Sequence, residues 1–212
     1  MRFVYFLLSL TVALQGFSQS ESVSMSISRN DAKTTYRTSD PFNSFNIETR
    51  GTIEVSDDDR DISSMSHDGY FEVTKTSFGS KRTIKIIREG GVLLKRYYEG
   101  RTEVNFDPAG RKWLAEILPE VVRTTTIAAE SRVNRFYAKG GTPAVLAEIE
   151  AIRSDHVKSH YARLLMKKPV AEKDYSLVVT KVTDNMNSDH YLAEFLENNL
   201  DKFLKNKEGT EA

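Results

Sequence analysis

YFEVTKTSFGSKRTIKIIREGGVLLKRYYEGRTEV, from Tyr70 to Val104, decides the first half of the fold. Apolar and polar residues alternate in it with a period of two, which places one side of an extended chain on a core and the other in water. The alternation is broken at Phe78-Gly79-Ser80, at Gly90-Gly91 and at Glu99-Gly100. Short turns containing glycine are hairpin signals, because a positive φ there matches the twist of the flanking strands. The stretch therefore predicts strands over about Tyr70–Lys75, Thr83–Arg88, Val92–Tyr98 and Thr102–Val104, joined as an antiparallel meander.

Working toward the N-terminus, shorter alternating runs occur at Ile53 and Val55, at Phe45 and Ile47, and at Val23, Met25 and Ile27. Ser56 to Asp68, rich in serine and aspartate, reads as a long loop inside the sheet. Before it all stands Met1-Arg2, an apolar run from Phe3 to Leu14, and Gly16-Phe17-Ser18. A charged start, an apolar stretch shorter than the ~20 residues that span a bilayer, and a small-x-small site predict a cleavable export signal over 1–18. The mature chain is then expected to begin near Gln19.

Toward the C-terminus the period changes at Asp107-Pro108, which read as an N-cap followed by a proline at the first helical position. Trp113, Leu114, Ile117, Leu118, Val121 and Val122 then share one helical face, with Pro119 expected to kink or restart the helix. Further helices are expected at 127–139, stopped by Gly140-Gly141, then after Thr142-Pro143, after Ser154-Asp155, around Tyr175 to Val182, and after Asn187-Ser188-Asp189. The fold class expected is α+β: a β region over 19–106, a stack of about six helices over 107–205, and a charged tail over 206–212.

Ser154-Asp155-His156 recurs as Ser188-Asp189-His190, 34 residues later, and predicts a helix–turn–helix unit used twice. The register holds at Tyr161 and Phe195 but breaks at Glu148, which faces Val182. Trp113-Leu114, Leu118-Pro119-Glu120, Ala128-Ala129-Glu130-Ser131-Arg132-Val133, Gly140-Gly141 and Ser154-Asp155, with Tyr161 and Leu164-Leu165, carry a resemblance. Together they resemble an uncharacterised bacterial exported module, of the kind attached to antirepressor-type membrane metallopeptidases. The resemblance runs from about Gly69 to Leu200 and rests on caps and core positions. It implies a fold of strands followed by Ser-Asp-capped helical hairpins. The peptidase's His-Glu-x-x-His helix is absent here, so no peptidase activity is carried over.

Chemistry is limited by composition. With no cysteine, the chain has no disulfide, thiolate ligand or thiol nucleophile. Its 30 basic and 30 acidic side chains balance, which removes the electrostatic case for nucleic acid. No nucleophile elbow, phosphate loop or dinucleotide fingerprint occurs. His156 and His160 have the i, i+4 spacing of metal ligands, yet also read as two histidines near a helix start, His156 the further into solvent. Asp57, Asp59, Asp61 and Asp68 alternate as in a calcium loop, but Ile62 stands where glycine is needed, and a solvated acidic loop fits as well. Lys81, Arg82, Lys85, Arg88, Lys95, Arg96 and Arg101, with Tyr97 and Tyr98, are either an anion- or membrane-facing patch or ordinary edge protection.

These readings assign no catalytic, cofactor or metal residue. They lead to an exported, non-catalytic binding or scaffolding protein of the cell envelope, periplasmic or extracellular. Its expected partner is another envelope protein, with no nucleic acid and no stable membrane insertion after signal cleavage. Two alternatives stand beside it: an accessory factor of a membrane peptidase or regulatory system, and a hydrolase with an unrecognised site. Trp113, the only tryptophan, is expected to anchor the first helix to the sheet.

Overall fold

The structure is a computed structural model and describes residues 24–30 and 33–204. The expected export signal, the tail from 206 and the side chains of Val23, Met25 and Ile27 lie outside the described residues. Strands β1 (Ser24–Asn30), β2 (Lys33–Ser39), β3 (Asn43–Arg50), β6 (Tyr70–Ser77), β7 (Ser80–Glu89), β8 (Val92–Glu99) and β9 (Thr102–Val104) form one antiparallel sheet in the order β1-β2-β3-β6-β7-β8-β9. The expected meander is its second half. Strand β2 was not expected: Lys33 to Ser39 offers one apolar residue, Tyr36, and is held between two partners rather than by alternation.

The loop expected over Ser56 to Asp68 instead contains a strand, which pairs back as a hairpin on the expected run at Ile53 and Val55. Strands β4 (Ile53–Val55) and β5 (Ile62–Met65) pair as a separate two-stranded sheet. Ile53, Val55, Ile62 and Met65 are buried in one core with Tyr36, Phe45, Ile47, Phe71, Val73, Ile84, Ile86 and Tyr97. Those eight residues are the inner face of the large sheet, so the hairpin covers part of it. Helix α1 (Arg111–Thr124) covers the rest with Trp113, Leu114, Ile117, Leu118, Val121 and Val122. Trp113 is buried as expected and lies 5.8 Å from the Tyr97 ring, centroid to centroid.

A π-helical turn over Phe106–Gly110 leads into α1, which starts at Arg111. The cap of that turn is Asn105 and not the expected Asp107: its side chain accepts from the Asp107 amide, while the Asp107 carboxylate pairs with Arg111. The helix runs through Pro119 without restarting. Four helices follow: α2 (Ala129–Ala151), α3 (Asp155–Leu165), α4 (Tyr175–Asn185) and α5 (Asp189–Leu204). There are thus five among the described residues, not about six. The stop expected at Gly140-Gly141 is a break inside α2, where both glycines leave the helical region and Gly141 takes φ +62°.

A second core, from Ala129 to Phe203, belongs to α2–α5. The division between the cores thus falls after Ile127, because α1 sides with the sheet. The helical-hairpin repeat is not supported. Ser154 makes no capping side-chain bond, and Asp155 instead accepts from the Asn187 and Ser188 amides at 3.0 and 2.9 Å, tying the first Ser-Asp turn to the second. Leu200, expected inward, is half-exposed; Asn199 is buried in its place, bonded to the Phe195 carbonyl.

Candidate functional site

The seam between the two cores holds the densest chemistry of the molecule. It begins at the β4–β5 turn. Ser56 Oγ accepts from the Arg60 and Asp61 amides and donates to Asp58, and the Ser56 carbonyl accepts from the Asp59 amide. This closes a tight turn that leaves Asp59 at φ +57°, a conformation aspartate tolerates better than most residues. The turn thereby delivers the Asp59 carboxylate to α2. Arg132 donates to it through Nε at 3.1 Å and Nη2 at 2.9 Å, and Arg135 through Nη2.

Arg132 is 1% exposed. Besides Asp59 it donates to Glu148 Oε1 at 2.8 Å and to the Tyr161 hydroxyl, and its guanidinium lies over the Phe136 and Tyr161 rings. Arg123, at the end of α1, makes a two-pronged pair with Glu148, both contacts 2.9 Å. Burial by itself lowers an arginine pKa and raises that of a carboxyl. Here the pairing outweighs burial: Arg132 is held above its ordinary value and Asp59 below. Burial pushes the Tyr161 hydroxyl up to about 12 against the opposing Arg132 charge. Arg132, Asp59 and Glu148 are thus closed on one another inside the protein, flanked by Arg135 and by Arg123, whose side chain is 43% exposed. They fasten the hairpin, α1, α2 and α3 together.

Beside this cluster the seam opens into a cleft of about 320 Å³. Thr34, Tyr36 and Thr49 line it from the sheet, Thr52 and Glu54 from the hairpin strand, and Thr126, Glu130 and His160 from the helical side. The Tyr36 hydroxyl and Thr126 Oγ1 lie 3.2 Å apart across it. Ala128, at φ +52°, forms the sharp corner between α1 and α2 that keeps the cleft open. Its walls offer hydroxyls and two carboxylates, a lining that suits a polar, hydrogen-bonding ligand.

The residues singled out by sequence are dispersed. His156 lies against Tyr191 of α5, ring centroids 5.9 Å apart, and not out in solvent; His160 faces the cleft and bonds Arg163. No group of three or more candidate ligands gathers to hold a metal among the described residues. Of the aspartates, Asp59 enters the buried cluster, Asp61 pairs with Lys95, and Asp68 with Ser66, so the solvated-loop reading fails at Asp59. The basic stretch is split by the pleat. Arg88 and Lys95 are inward at the hairpin, bonded to the Met65 carbonyl and to Asp61, while Lys85 lies on the outer face over Tyr70.

Sequence reading missed Arg132 and Glu148. Their signal was positional: Arg132 falls on the stripe Ala129, Val133, Phe136, and Glu148 on the stripe Val145, Ile149, Ile152. A charge on an apolar stripe needs a buried partner. Comparison with protein-family models, curated proteins and solved structures finds no match to this chain.

Proposed function

We propose that this is an exported, non-catalytic binding or scaffolding protein of the cell envelope, and that the seam cleft receives its partner. One observation carries the reading. The buried cluster fixes the two cores against each other, so the cleft between them is a preformed recess walled largely by the hydroxyls of Thr34, Thr49, Thr52 and Thr126. An accessory role beside a membrane peptidase or regulatory system is the alternative to it.

A block of the cleft tests it. Thr52 and Glu130 are both exposed on its rim, outside both cores. Thr52→Trp with Glu130→Arg is expected to leave the fold intact and to abolish capture of a partner from the native envelope that the unaltered protein retains. Equal capture by both proteins, identified by mass spectrometry, would sink the proposal.

A hydrolase is the second reading, and the gathering of Glu54, Glu130 and His160 on the same cleft favours it. Loss of a measured hydrolysis in Glu54→Gln or Glu130→Gln, with partner capture unchanged, would decide for it.

A further inference from the structure

At the end of the sheet remote from the β4–β5 hairpin, three turns stand side by side. The β2–β3 turn carries Phe42, the β6–β7 turn carries Phe78, and the β8–β9 turn carries Arg101. They are joined by backbone bonds: the Phe78 amide donates to the Phe42 carbonyl at 3.0 Å, and the Gly100 amide to the Lys81 carbonyl at 2.8 Å. Phe42 and Phe78 are 59% and 80% exposed, and their rings stack at 5.6 Å with 21° between planes. Phe78 is the most exposed large apolar side chain among the described residues.

This pair is held out of the protein at a cost. Phe78 sits at φ +47°, ahead of Gly79 at φ +79°, in a turn where asparagine or glycine is the unstrained choice. The β2–β3 turn is equally fixed, since Asp40 accepts from the Phe42 and Asn43 amides at 2.8 Å each. On the same turns, Lys81 and Arg101 are exposed and enter no ion pair among the described residues, while Arg82 lines a recess beside α1 with Glu116 and Glu120. The acidic groups nearby are engaged: Asp40 within its turn, Glu99 by the Tyr97 hydroxyl, and Glu120 by Lys75.

We infer that this tip docks the protein reversibly on an anionic lipid bilayer, Phe42 and Phe78 entering the headgroup boundary while Lys81 and Arg101 meet lipid phosphates. Two side chains on protruding turns are far short of the roughly 1,000 Å² that a stable protein interface buries. They do match shallow insertion of apolar side chains assisted by basic neighbours. The inference stands apart from the cleft and its ligand.

The test reads the tip itself. In the full chain, Phe78→Trp is mixed with vesicles of phosphatidylcholine containing roughly one-third phosphatidylglycerol, and with pure phosphatidylcholine. The expected result is a blue-shifted emission, quenched by brominated acyl chains, with anionic vesicles only, and reversed by salt. Lys81→Glu with Arg101→Glu, in that background, is expected to weaken the transition more than tenfold. Phe78→Asn in the otherwise unaltered chain is expected to keep or raise the melting temperature, because asparagine relieves the strained turn. An indole that stays in water beside anionic vesicles overturns the inference. So does one that inserts equally into both vesicle types. A tip that stays in water, yet whose Phe42→Asn/Phe78→Asn variant loses an envelope protein on capture, is a protein-docking surface and likewise overturns it.

Discussion

Arg132 has more partners than its charge requires. Asp59 keeps Arg135, and Glu148 keeps Arg123, when Arg132 is removed. Removal of Asp59 instead leaves Arg132 and Arg123 sharing Glu148, and Arg135 with only the exposed Asp57 at 3.9 Å. The two deletions are therefore unequal, although both break the same contact. Asp59→Asn retains a residue that tolerates the left-handed turn and changes only the charge. It is expected to cost about 3–5 kcal/mol, the range for stranding one member of a buried ion pair. Arg132→Met with Tyr161→Phe leaves charges matched and no hydroxyl orphaned, and is expected to cost about 1–2 kcal/mol. Urea unfolding of the two variants checks the order; equal losses, or the reverse order, would refute the account. Neither acid nor base was legible as a pair, because Asp59 and Arg132 lie 73 residues apart and meet only when the hairpin folds over the sheet. Arg132 and Glu148 did carry a signal, a charge on an apolar stripe, whereas Asp59 stands among other aspartates and carried none.

Strands with a period-two pattern and a helix with a wide apolar stripe were readable because burial alone dictates them. The Tyr70–Val104 meander and α1 fall in that class. Strand β2 does not, since its place is set by hydrogen bonds to β1 and β3 and by one tyrosine. Nor does β5, whose buried Ile62 and Met65 stand three residues apart and show no period of two, whereas its partner β4 carries the alternating Ile53 and Val55. The hairpin's serines and aspartates looked like loop composition, and they do build a turn, but one that delivers Ile62 and Met65 to the core. Trp113 illustrates the readable class. It packs α1 onto Tyr97 of β8, and Leu114, Ile117 and Leu118 share its face. Trp113→Ala is expected to cost about 3–5 kcal/mol, the loss usual for emptying a large aromatic site. A melting temperature unchanged in that variant would contradict the packing described. So would freely quenchable, red-shifted tryptophan emission in the folded protein, since Trp113 is its sole indole.

Across the whole molecule, the change from strands to helices near residue 107 was visible in the sequence, whereas the division of the cores after Ile127 was not. The reason is that α1 is helical by local pattern but belongs by packing to the sheet. Two cores joined through a buried ionic cluster imply a coupling that depends on pH. The Asp59 carboxyl is held below its ordinary value by Arg132 and Arg135, which outweigh the opposing effect of burial. A depressed carboxyl contributes stability that is fully present above its unfolded pKa of about 4 and is lost as pH falls through the folded value. Other carboxyls that titrate in this window, such as those of Glu48 and Asp107, lie on the sheet side away from the seam. Their protonation weakens the first core without touching the join. Asp59 is the lowered carboxyl that bonds across it, beside the Arg123–Glu148 pair, so its protonation loosens the cores from each other. At neutral pH the emission of Trp113, which reports the first core, and the helical ellipticity, dominated by the second, are expected to melt together. Near pH 3 the two midpoints are expected to separate. In Asp59→Asn they are expected to be separate already at pH 7, with little further divergence on acidification. Coincident midpoints in that variant at both pH values would show that the cores are joined without Asp59, by apolar contacts and the Arg123–Glu148 pair.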